Sequence, residues 1–148
     1  MKMKTMMLAI AGLALAEMGL EAQAADVTVI DSSSSPIHPY FKSNCWSADM
    51  KANNPDPKQW VFFGGIGARS QFTWGPFEDL LNPKCKHPKV SFTYVLDGEP
   101  PPVPGKVPKA RKATLDFDPT VPAYTITIND IPVITGVTPA DDDNDDDD

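Results

Sequence analysis

The side chains that could carry chemistry are few and far apart. The chain has two cysteines and two histidines in 148 residues. His38 and His87 each precede a proline, in segments without a recognisable nucleophile motif, so a Ser-His-Asp arrangement has no base in a suitable setting. Cys45 and Cys85 lack the short Cys-x-x-Cys spacing of a redox pair, and no zinc site is read from them together with His38 and His87. Gly64-Gly65-Ile66-Gly67-Ala68-Arg69 has neither the lysine of a phosphate-binding loop nor the G-x-G-x-x-G spacing, so it reads as a turn or bulge between strands. Asp116 and Asp118 alternate, which on one strand face would make a glycosidase-like pair or part of a Ca²⁺ site. The plainer reading is the wet face of an edge strand. No catalytic residue, no metal beyond these weak Ca²⁺ candidates and no other cofactor is read from the sequence.

The stronger signal is aromatic. Trp60, Phe62, Phe63, Phe72, Trp74 and Phe77 crowd one stretch of chain. In a strand, alternate residues share a face, which places Phe72 beside Trp74 and separates Phe62 from Phe63. Trp60, Arg69, Phe72 and Trp74 are therefore the candidate ligand-binding residues, with flat rings beside a cationic donor. The competing reading is that these rings fill the core of a small domain.

Where the protein goes decides how its cysteines are read. Lys2 and Lys4 are followed by an apolar run from Met6 to Ala16 and by Ala22-Gln23-Ala24, the order of a secretory leader, so cleavage is expected before Ala25. Glu17 and Glu21 interrupt that run before it reaches the about 20 apolar residues that a membrane span requires. In the oxidising compartments beyond, whether periplasm, cell surface or medium, Cys45 and Cys85 are expected to form one disulfide, worth roughly 4 kcal/mol on the chain-entropy model.

The formal net charge is −7, and the basic and acidic residues between 25 and 140 cancel. The excess belongs to Asp141–Asp148, a poly-Asp tail expected to be disordered, acting as a solubilising segment or a contact for a basic partner. Nothing in this balance favours nucleic acid.

These residues must be positioned mainly by strands. There are 16 prolines, all from Pro36 onward, which argues against long helices. Val27–Ile30, Trp60–Phe63, Ser70–Trp74, Val90–Leu96, Ala113–Phe117, Tyr124–Ile128 and Ile131–Val137 read as strands, the last two as a hairpin through Asn129-Asp130 with Pro132 at an edge. Residues 36–41 read as extended or turning, 43–59 as a loop, Phe77–Leu81 as at most one helical turn, and 99–109 as an exposed proline-rich loop leading to a basic cluster. About seven or eight short strands within residues 25–140 predict a single all-β domain, an antiparallel β-sandwich. The order Cys45, Trp60, Cys85 is similar to that of immunoglobulin domains, but the second interval is shorter and Pro83 stands where that family's corner tyrosine would lie. That resemblance implies architecture alone.

The functional expectation is a secreted, non-catalytic recognition domain for carbohydrate or a cell-surface protein. The alternatives are a self-assembling extracellular surface protein and, further off, a secreted hydrolase or membrane-active toxin.

Overall fold

The structure is a computed structural model and describes residues 25–118 and 120–138. The expected leader and the poly-Asp tail lie outside the described residues. The chain forms β1 (Asp26–Asp31), β2 (Ile37–Ser43), α1 (Ala48–Asn53), β3 (Val61–Phe62), β4 (Ser70–Trp74), β5 (Lys89–Leu96), β6 (Ala113–Asp116), β7 (Ala123–Ile128) and β8 (Ile134–Thr138). Single 3₁₀ turns occupy Phe77–Leu80 and Lys109–Arg111.

Among the described residues two four-stranded sheets, ordered β8-β7-β1-β4 and β3-β2-β5-β6, make the expected sandwich. One pairing departs from the antiparallel expectation: β1 runs parallel to β7, with Val27 opposite Tyr124, Val29 opposite Ile126 and Asp31 opposite Ile128. The local alternation of β1 and β7 specifies a buried face but carries no information about partner or direction, so this pairing is a tertiary choice.

The inward faces follow the period of two. Val27 and Val29 of β1, Ile37 and Phe41 of β2, Val90, Phe92 and Tyr94 of β5, and Tyr124, Ile126 and Ile128 of β7 are all buried. Phe41 is the hub of this core. Its ring lies 4.7 Å from Phe63, 5.2 Å from Phe77, 5.2 Å from Phe92 and 5.4 Å from Trp74, mostly in tilted or edge-on contacts. Such geometry suits the ring quadrupoles and adds to the burial of apolar area. Much of the aromatic stretch thus serves packing, as the competing reading held.

Cys45 and Cys85 are joined in the expected disulfide, with Cα atoms 6.0 Å apart. Around it the backbone is tied again: Asn82 N–H donates to the Cys45 carbonyl at 2.7 Å, and Trp46 bridges to Leu81.

Two local expectations are corrected and one open alternative is resolved. Within 43–59, read as a loop, the chain forms the six-residue helix α1, because Ser47 Oγ accepts a hydrogen bond from Met50 N–H at 3.3 Å while Asn54 N–H closes the last turn on the Met50 carbonyl. Of residues 36–41, expected to be extended or turning, Ile37–Phe41 take the extended alternative within β2, which carries His38 in a strand. The final strand begins at Ile134 rather than Ile131, since Asn129 N–H bonds the Val133 carbonyl and closes a longer connection, which removes Pro132 from the sheet. No helix among the described residues is long and apolar enough to cross a membrane.

Candidate functional site

The four candidate residues do not converge on one surface. Trp60 is buried just before β3, its ring 4.9 Å beneath the Lys42 ammonium nitrogen and its indole N–H buried without a hydrogen-bond partner. Phe72 and Trp74 do share a face of β4, their rings 4.9 Å apart. That face is the inward one, because they pair with Val29 and Val27. As β4 is the last strand of its sheet, the face is only half covered. Trp74 packs against Phe41 and Phe63, while Phe72 remains 51% exposed at the seam between the sheets. Arg69 precedes β4 in the left-handed region, at φ 58°, which side chains other than glycine seldom occupy. Its N–H bonds the Ser33 carbonyl, and its guanidinium lies 3.7 Å from Asp130, at the rim of a polar cavity of about 280 Å³ that also touches Asp31 and Gln71.

Asp116 and Asp118 are also separated. β6 ends at Asp116, whose carboxylate lies 3.8 Å from the Lys89 ammonium. Asp118 turns back onto Thr120, accepting from its N–H at 2.8 Å and its hydroxyl at 2.7 Å, bonds that hold the carboxyl below its ordinary range. Between them Tyr124 Oη accepts from Asp118 N–H and donates to the Asp116 carbonyl, fixing the corner. The two carboxylates are thus committed to different partners. Among the described residues no three His, Cys, Asp or Glu side chains cluster as a metal site would need.

The most exposed aromatic grouping lies on the outward face of the second sheet. His38, Tyr40 and Lys42 alternate outward along β2, and Phe62 of β3 pairs with Tyr40. The Phe62 ring, 52% exposed, sits 5.3 Å from that of Tyr40 and 6.0 Å from that of His38. His38 Nε2 is hydrogen-bonded to the Asp97 carboxylate at 2.5 Å, which fixes the imidazole at the edge of the ring surface. Further along the same face Lys42 covers Trp60. The rings thus form a stripe, apolar at Phe62 and polar at both ends. Sequence alternation separates Phe62 from Phe63 correctly, but the register that brings Phe62 to Tyr40 is a contact between distant segments.

Beside this stripe the proline-rich segment crosses β5 as a strap. Although exposed, it covers the outward-facing Thr93 and encloses a groove of about 290 Å³ walled by Val95, Pro100, Pro102, Val103 and Pro108. Glu99 anchors it, accepting from Leu96 N–H at 2.8 Å and from the Arg111 guanidinium at 2.6 Å. These hydrogen bonds, Arg111 first, lower the Glu99 pKa, and Glu99 in turn raises that of Arg111. Arg111 also lies over the Tyr94 ring at 5.1 Å. Burial pushes the Tyr94 phenol up to about 12, with Arg111 pulling partway back, while the hydroxyl itself meets no group in hydrogen-bond geometry.

Compared with known proteins, the sequence matches no family model and no curated protein. Among solved structures, the NMR structure of a protein from Eubacterium rectale is similar over 76% of this chain and 84% of that chain, at 10% identity and a TM-score of 0.37. A likeness at that level assigns nothing, so the functional reading rests on the geometry above.

Proposed function

We propose that this chain is an exported, non-catalytic recognition domain that binds carbohydrate through the outward stripe of Phe62, Tyr40 and His38. The observation that carries the proposal is the half-exposed Phe62 ring, packed against Tyr40 and bordered by the His38–Asp97 pair. A sugar ring offers an apolar C–H face and a rim of hydroxyls. Phe62 and Tyr40 supply a surface for the first, and imidazole, phenol and carboxylate supply donors and acceptors for the second. The Cys45–Cys85 bridge supports export, since such bonds persist in oxidising compartments.

The test is titration of the purified protein against a panel of polysaccharides and oligosaccharides. Phe62→Ala should weaken the best binder at least tenfold, about 1.4 kcal/mol, with only a small loss of thermal stability, because half of the ring is already in water. Equal affinity of variant and parent would refute the stripe as the site.

One observation favours a second reading. The terminal strand β4 carries Phe72 at its open seam, and an edge strand with an exposed ring is a template for self-association. Sedimentation of Phe72→Lys against the parent separates this reading from the first.

A further inference from the structure

We infer that removal of the leader creates a structural ion pair, in which the α-ammonium group of Ala25 docks on the Glu78 carboxylate and fastens the 3₁₀ turn that delivers Phe77 to the core. The inference rests on the export reading above. It starts from the way Ala25 is held. This residue has no exposed surface and belongs to the hydrophobic core. Its backbone nitrogen donates to Glu78 Oε1, and its carbonyl accepts from Phe77 N–H at 2.8 Å. The next residue, Asp26, donates its N–H to the Pro122 carbonyl at 3.1 Å, just ahead of β7. The start of β1 is therefore clasped on one side by Phe77–Leu80 and on the other by the entry to β7.

The small-residue motif Ala22-Gln23-Ala24 ends at this same nitrogen. A leader peptidase adds one water across the Ala24–Ala25 amide, so Ala24 departs with a carboxylate and Ala25 keeps the nitrogen as an amine, protonated at neutral pH. Before cleavage the nitrogen offers Glu78 a single neutral N–H. Afterwards it offers three donors and a full positive charge, and charge-assisted hydrogen bonds are roughly twice as strong as neutral ones. Glu78 is half-buried, so the pair is less screened than one in open water. The order of events follows from the burial. A peptidase reaches an extended, accessible bond, and the folded domain encloses Ala25, so cleavage precedes docking and the mature terminus is the form the fold accepts best.

Phe77 gives the pair its leverage. The ring is fully buried and touches Phe41, Phe63 and Phe117, and its backbone is held by Ala25. Loosening the terminus therefore loosens a ring at the centre of the aromatic core.

The experiment compares chains spanning residues 25–148 with a scarless Ala25 amine, with Ala25 acetylated, and with one extra glycine before Ala25, each carrying Glu78 or Glu78→Gln. With Glu78 present, the free-amine form should melt several degrees above the acetylated and extended forms. Glu78→Gln should remove most of that advantage while scarcely moving the other two. Equal melting of all three Glu78 forms, or a Glu78→Gln loss of the same size in each, would overturn the ion pair. Amino-terminal sequencing of the exported protein tests the processing site separately. A start other than Ala25 would refute the export reading's cleavage point, while the scarless comparison would still report on Glu78.

Discussion

Two tyrosines show how the same side chain serves differently within one core. Tyr124 Oη makes two backbone hydrogen bonds at the corner of residues 116–118, whereas the Tyr94 hydroxyl is buried without one. Removing a bonded buried hydroxyl strands its partners, and removing an unbonded one strands nothing. Denaturant unfolding at neutral pH should therefore show a loss of about 1 to 2 kcal/mol for Tyr124→Phe and little or no loss for Tyr94→Phe. At alkaline pH the contrast reverses. Because the folded Tyr94 titrates near 12 against an ordinary value of 10.0, its titration leaves stability unchanged below pH 10.0 and lowers it as pH rises toward about 12, where the unfolded chain ionises first. Tyr94→Phe should flatten that part of the alkaline decline, and an unchanged decline would refute the assignment. At this scale the sequence reveals which residue types are available but not their company. Phe72 and Trp74 share a face as alternation requires, yet the face is inward, and Arg69, a few positions earlier, turns to Asp130 instead. Phe62 is recognisable as an aromatic opposed to Phe63, but its partners Tyr40 and His38 come from another segment.

The elements were most legible where alternation was longest. β5 and β7 show their buried faces directly, and the same logic sets the cost of mutation along β7 and the loop after it. Ile126 is fully buried between the sheets and Ile131 is 73% exposed in the connection to β8. Ile126→Ala should cost about 2 to 5 kcal/mol and Ile131→Ala no more than about 0.5, measured by urea unfolding with unchanged slope. Comparable costs would mean that the β7–β8 connection is packed. The expectation of a strand from Ile131 failed here for a physical reason: Ile131, Pro132 and Val133 have strand-like side chains, but the Asn129–Val133 backbone bond closes the loop around them. Helix α1 was missed for the opposite reason. Six residues are too few to display a helical period, so only its Ser47 cap and the Asn54-Pro55 stop could mark it. The strap over β5 reads as an exposed loop from its prolines alone, because the Glu99–Arg111 anchor pairs residues on either side of them.

At the scale of the whole molecule, the disulfide and the sheet order determine how the sandwich holds together. The Cys45–Cys85 bond spans 40 positions and joins the end of β2 to the approach to β5. Replacing both cysteines by alanine should lower stability by roughly 4 kcal/mol if the entropy of the unfolded chain dominates. Urea unfolding of the double variant against the oxidised parent checks this, and near-equal midpoints would show the bridge to be dispensable. The all-β class and two-layer design were readable from strand count and prolines, whereas the parallel β1–β7 pair was not, since only the assembled sheet reveals it. That pair has a kinetic meaning. β1 is the earliest strand among the described residues, yet it lies inside its sheet, between β4 and a strand that begins only at Ala123. β1 can pair with β4 once Trp74 has been made, but its parallel partner β7 comes only near the end of the described chain, and long-range closures of this kind are slow. Until β7 is made, β1 has β4 alone beside it and the first sheet stays open along its inner strand.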